Sequence, residues 1–193
     1  MKITIRQATP SDAPIIASII AFGFGEDMMK QYCGENGLAI FEALASMEVS
    51  QYSYHHALIA EVKGLPVGAI VGYDGAQLLQ LRRPTLAYIQ EQAGFMPQIQ
   101  EETEPGEYYL DSLAVFPAYQ HQGIGKALIL ALCDKAFGEG HERVGLLVDM
   151  GNPKAEHLYS SLGFQRINQK TLFNHQLWHM QKVNPLSQLD TAL

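Results

Sequence analysis

The stretch from Tyr108 to Ala127, YYLDSLAVFPAYQHQGIGKA, constrains the fold more tightly than any other part of the chain. Tyr108 to Val115 is aromatic and branched and is stopped by Pro117, the profile of a buried strand. A tight glycine turn follows, and a helix opens at Gly123. Gly123 and Gly125 carry no Cβ, so the backbone can approach a ligand closely there. The N–H groups of Gln122, Gly123, Ile124, Gly125, Lys126 and Ala127 leave the helix start without intrahelical partners. Aligned peptide dipoles add partial positive charge at the same point, and phosphate is the natural occupant.

Two phosphate-binding patterns fail against these residues. A P-loop needs Ser or Thr after its lysine, to reach magnesium, but Ala127 follows Gly125-Lys126. A dinucleotide fingerprint needs Gly or Ala three residues after the second glycine, where Leu128 stands.

The formal net charge of −7 argues against general nucleic-acid binding, so an anionic ligand must be held by local amides. A chain of 193 residues, 47% hydrophobic and 17% charged, is within the range of one core-bearing domain. Residues 1–183 are read as that domain, with an insert at about 74–106 and a polar tail over 184–193. Only Cys33 and Cys133 are present, which excludes a disulfide framework and suits a reducing, cytoplasmic setting. No signal peptide and no apolar run of membrane-spanning length is found.

Ile3 and Ile5 alternate with polar neighbours as in a half-buried strand, and Thr9-Pro10-Ser11-Asp12 offers a cap for a helix to about Phe22. Phe22 to Gly37 is glycine-punctuated and reads as a loop with room for a short helix. A helix over Leu38–Glu48 and strands over Ala57–Val62 and Val67–Tyr73 follow. Gln77 to Gln92 reads as a helix interrupted by Pro84. The acidic run Glu101 to Glu107 is either a solvated loop or a lure for a cationic amine. Lys126 to Phe137 is an amphipathic helix, Val144 to Val148 a strand parallel to that of Tyr108, and Asn152-Pro153 a capped helix start. Two strands, from Gln165 and over Gln176–Val183, end the domain.

Gln120-x-x-Gly123-x-Gly125, after a strand ending Leu113-Ala114-Val115, resembles the acetyl-CoA-binding motif of the GNAT acetyltransferase superfamily. Asn152-Pro153-x-Ala155-x-x-x-Tyr159-x-x-x-Gly163-Phe164 resembles the next motif of that family, and Arg6, Ala8 and Asp12 resemble its usual opening. The resemblance implies an α/β fold: a mixed, mostly antiparallel sheet splayed where CoA enters, with helices on both faces. It implies acetyl-CoA as cosubstrate and transfer of acetyl to a primary amine by direct attack in a ternary complex. The acceptor is a small molecule or a peptide amine, and the acidic run favours a cationic small amine. A homodimer through the sheet edge or C-terminal strand is compatible with it. So is a different class, an acetyl-CoA-binding sensor or interaction module without turnover. Gln120-His121-Gln122 departs from the more basic residues of many members.

An amine of pKa about 10.4 is protonated at neutral pH, and freeing it costs about 4.6 kcal/mol, so a carboxylate or a water chain must take a proton. Asp111 is the first choice and Glu107 the second, four residues apart and on one strand face unless a bulge intervenes. The alternative for Asp111 is that it holds Ser112 or a neighbouring turn. The resemblance gives carbonyl polarisation to backbone donors around Leu113, Ala114 and Val115, where it expects a bulge. It makes Tyr159 the proton donor to the departing thiolate, with Asn152 orienting the cofactor or that hydroxyl; a phenol near pKa 10 is still protonated at neutral pH. His55-His56, His175 and His179 lack the spacing and completing ligands of a metal set, and none is assigned.

Overall fold

The alternation around Ile3 and Ile5 builds β1 (Ile3–Gln7), at one edge of a seven-stranded sheet. The computed structural model describes residues 2–172 and 175–187. β2 (Ala57–Val62) and β3 (Leu65–Asp74) form the expected hairpin, and β4 (Tyr108–Val115) lies beside β3. β5 (Arg143–Asp149), β6 (Gln165–Leu172) and β7 (His175–Val183) complete the order β1-β2-β3-β4-β5-β7-β6. Every neighbouring pair is antiparallel except β4 with β5.

Helices cover both faces, which is why β2 and β3 are buried almost throughout instead of alternating. On one face lie α1 (Ala13–Cys33), α2 (Gly37–Ser46) and α3 (Leu78–Ala93). Ile16, Ile20, Phe41 and Leu44 pack there on Ile59, Ala69 and Val71. On the other face, α4 (Ile124–Gly138) sets Ile124, Leu128 and Leu132 against Ile70, Leu110 and Leu146, flanked by α5 (Pro153–Ser161). Among the described residues no helix is long and apolar enough to cross a membrane.

Two helix boundaries differ from expectation. The segment after Phe22 is helical, with one break at Gly25 (φ 71°, ψ 168°), because Met29, Tyr32 and Cys33 have a core to join. Helix α3 runs through Pro84 without interruption; Leu78, Leu81, Thr85 and Ile89 are all buried, and their packing outweighs the hydrogen bond that proline cannot donate. The tail from Asn184 opens in a turn over 185–187, and its remainder lies outside the described residues.

The first strand is tied to the first helix by a charged fork. Arg6 donates to both Asp12 carboxylate oxygens, at 2.7 and 2.8 Å, and to Glu61 at 2.6 Å. The Thr9 N–H donates to Asp12 at 2.8 Å. The guanidinium outweighs burial and lowers the Asp12 pKa to about 2.

Candidate active site

The sheet opens at its centre. β4 and β5 are in register only over Tyr108–Leu110 and Val144–Leu146, and beyond Leu110 they diverge. The divergence begins at a β-bulge: Val71 pairs with Ser112 and Gly72 with Leu110, leaving Asp111 as the extra residue. The bulge therefore lies two residues before the Leu113–Val115 stretch where one was expected. It aims Asp111 into a cavity of about 350 Å³ that Tyr159 and Asn152 also line.

A second cavity, of about 800 Å³, lies along the glycine turn. Leu113, Ala114, Val115, Gln120, Gly123, Ile124, Gly125 and Lys126 all border it, joined by His121 and by Ala155 and Leu158 of α5. Gly123 holds the left-handed conformation (φ 81°) at the N-cap of α4, and Gln120 fixes the turn by donating from Nε2 to Val115 O at 2.9 Å. A Cβ on Gly123 or Gly125 would meet nothing within 4 Å, so the missing side chains leave open space for a ligand. The turn and its amides thus fit the phosphates of a CoA-type cofactor. Two named residues stand apart from the cradle. The Ala127 N–H donates to Gly123 O at 3.0 Å and is spent inside the helix, and Gln122 does not border the cleft, its side chain donating to Ala118 O at 3.3 Å. Leu113 and Ala155 border both cavities, so the cleft and the deeper chamber meet there.

Tyr159 has Phe164 edge-on at 5.8 Å, and burial pushes its pKa up to about 12, which keeps the phenol protonated. Asn152 caps α5 by accepting from Ala155 N–H at 3.1 Å. Asp111 does hold Ser112, whose Oγ donates to it at 2.7 Å. It also accepts from Tyr73 Oη at 3.1 Å and from Gln51 Nε2 at 3.2 Å. Burial raises its pKa.

Glu107 takes a different position. Its carboxylate is sealed between His179 Nε2 (2.8 Å), Gln181 Nε2 (2.8 Å), Thr103 Oγ1 and the Glu104 N–H (both 3.1 Å). It occupies the space over Gly145 that a Cβ would fill. The structure does not bring it to the cavity wall. The acidic run divides between surface and interior. Glu101 is exposed and Glu104 pairs with Lys170 at 2.9 Å, but Glu102 turns inward onto Arg82 at 2.6 Å and lines the Asp111 cavity. Glu102, Gln51, Tyr73 and Arg82 went unnoticed in the sequence. Only Glu102 carried any signal there, as one carboxylate of that run. Among the described residues no three His, Cys, Asp or Glu side chains are grouped to hold a metal ion.

The site thus combines a splayed sheet, an amide cradle at its mouth and a carboxylate facing the same chamber as a protonated phenol. Residues 26–164 match the model of the Acetyltransferase (GNAT) family, and the chain belongs to that family. It is similar to a mycothiol acetyltransferase of Renibacterium salmoninarum, 41% identical over 70 residues, 36% of this chain and 20% of that one. It is similar also to the N-alpha-acetyltransferase RimI of Mycobacterium tuberculosis, 45% identical over 65 residues, 34% of this chain and 39% of that one. The chain thus spans well under two thirds of either relative. An N-acetyltransferase structure from Staphylococcus aureus Mu50 superposes with a TM-score of 0.81 at 27% identity, over 92% of this chain and 99% of that one.

Proposed function

We propose that the chain is an acetyl-CoA-dependent N-acetyltransferase acting on a cationic primary amine. The observation that carries this is the meeting of two residues in one chamber: Asp111 from the β4 bulge and Tyr159 from the helix after β5, both lining the cavity that joins the glycine-turn cleft. Acetyl-CoA, when bound, supplies an activated acetyl thioester, whose C–S bond breaks as the N–C bond forms. Its phosphates would lie on the free amides from Gly123 to Lys126. Asp111 takes the first proton from the acceptor ammonium and passes it to solvent. Tyr159 delivers a proton to the departing sulfur and is made good by the second proton of the amine nitrogen, so the charges balance.

The walls favour a cation over a neutral peptide amine. Asp111 and Glu102 stand in the chamber beside the rings of Tyr32 and Tyr109, and carboxylates with aromatic faces attract ammonium groups. Asp149 lines the chamber as well, and Glu26 and Asp27 border the adjoining surface cavity that shares Phe24, Met28 and Asp149 with it. Thiol release followed across a panel of diamines, amino sugars and peptides tests the assignment. Cationic small amines are expected to give the highest kcat/KM, and turnover confined to neutral peptides would contradict it.

A further inference from the structure

We infer that Glu102 and Asp111 form one proton-sharing carboxylate pair, with Glu102 the positioning partner that sets when Asp111 can take a proton from the acceptor amine. The inference rests on the transferase assignment above. Both carboxylates lean on the same two donors. Gln51 Nε2 lies 2.8 Å from Glu102 Oε1 and 3.2 Å from Asp111 Oδ2. Tyr73 Oη lies 3.1 Å from Asp111 Oδ2 and 3.5 Å from Glu102 Oε1, and its single proton can serve only one of them. Two carboxylates converging in a shielded pocket do not both ionise readily, and one proton between them relieves the repulsion.

Arg82 decides where that proton rests. Its Nη2 donates to Glu102 at 2.6 Å, its Nη1 to Gln100 O at 3.0 Å, and its Nε to Gln51 Oε1 at 3.4 Å. The guanidinium favours the ionised form of Glu102, which leaves the proton to Asp111. The titratable groups facing the pair are Arg82 from α3, Tyr73 from β3, Tyr109 from β4, Tyr32 from α1 and Tyr52 from the turn before β2, with Asp149 of β5 and Tyr159 of α5 on the same chamber wall. Burial raises the pKa of both carboxylates above their usual range.

An ammonium entering this chamber meets a pair that holds a proton near neutral pH. Once the pair has released its resting proton to solvent, Asp111 takes the proton leaving the amine nitrogen, the nitrogen keeps its lone pair for attack, and no electrons change hands. An isolated carboxylate of ordinary pKa would be a far weaker proton acceptor.

The test is a carbon-13 carboxyl NMR titration of the full chain labelled at Asp and Glu, from about pH 4 to about pH 9. The wild type should show a carboxyl midpoint near neutrality. In Glu102→Gln the Asp111 midpoint should fall by about one unit or more, because a like charge is gone and Arg82 is freed. Arg82→Gln should move the pair's upper midpoint the other way, and damage to folding alone would not give opposite shifts. If every carboxyl of the wild type titrates below about pH 5, the pair does not exist, whatever the turnover. With a productive amine, the acid limb of kcat/KM should follow the NMR midpoints; a limb that stays put while they move would overturn the catalytic link. Absence of turnover in the wild type would instead count against the transferase assignment, and the NMR would still decide the pair.

Discussion

His179 Nε2 lies 2.8 Å from Glu107 Oε2, with His179 0% and Glu107 1% exposed to solvent. Nε2 must carry the hydrogen, since a carboxylate can only accept. Burial tends to raise the Glu107 pKa, but hydrogen bonds from His179 and Gln181 outweigh it and hold the group below its usual range. The pair fastens the segment carrying Glu102 to β7. Glu107→Gln is expected to cost about 2 kcal/mol of stability while kcat of the folded enzyme changes by no more than about threefold. Urea unfolding and steady-state rates check this; a hundredfold loss of kcat at unchanged stability would make Glu107 the base.

The Arg6–Asp12 fork predicts acid sensitivity. The folded Asp12 pKa, about 2, lies below the unfolded value of about 3.9, so its contribution is fully present above the unfolded value and is lost as pH falls toward 2. Asp12→Asn should destabilise the protein by about 2 kcal/mol at neutral pH, discounted for the partial exposure of Arg6. The difference from wild type should shrink as pH drops through that window, as seen in denaturation midpoints measured along a pH series.

Tyr159 is predicted to act as the proton donor and not as core packing alone. Tyr159→Phe keeps the ring that meets Phe164 and removes only the hydroxyl. The expected result is a kcat lower by about a hundredfold, with KM and the thermal midpoint nearly unchanged. A variant with wild-type kcat would show that solvent protonates the thiolate.

Gly125 is predicted to separate folding from cofactor binding. A Cβ there meets nothing within 4 Å, and the residue sits in the first turn of α4, so a larger side chain is harmless to the apo fold. Gly125→Val should leave the apo thermal midpoint within a few degrees and weaken acetyl-CoA binding at least about tenfold, about 1.4 kcal/mol. Titration calorimetry reads the second quantity directly.

How much of this was legible in the sequence depended on how local each determinant is. The glycine turn, the strand before it and the Asn152 to Phe164 segment are contiguous, so spacing revealed them. Asp111 was legible because it lies on the motif strand. Its surroundings were not: Gln51, Tyr73, Arg82 and Glu102 come from four separate segments, and only tertiary packing brings them together. Glu107 shows the converse limit, since strand spacing ranked it beside Asp111 but said nothing of the His179 and Gln181 that seal it off. The helical turn after Gly25 and the continuity of α3 through Pro84 likewise depend on buried partners, which local composition does not register.

We propose that the glycine-turn cleft holds acetyl-CoA and delivers its acetyl group to an amine in the Asp111–Tyr159 chamber. Thermal unfolding with and without acetyl-CoA, followed on the same sample by thiol release across an amine panel, tests it most directly. A ligand present at about a hundred times its Kd stabilises the folded state by about 2.7 kcal/mol, so the midpoint must rise. That rise is expected together with amine-dependent thiol release that is largely lost in Tyr159→Phe. An unchanged midpoint at saturating acetyl-CoA would contradict the cofactor assignment and the enzyme with it, and a raised midpoint without release on any amine would reduce the protein to a cofactor-binding module.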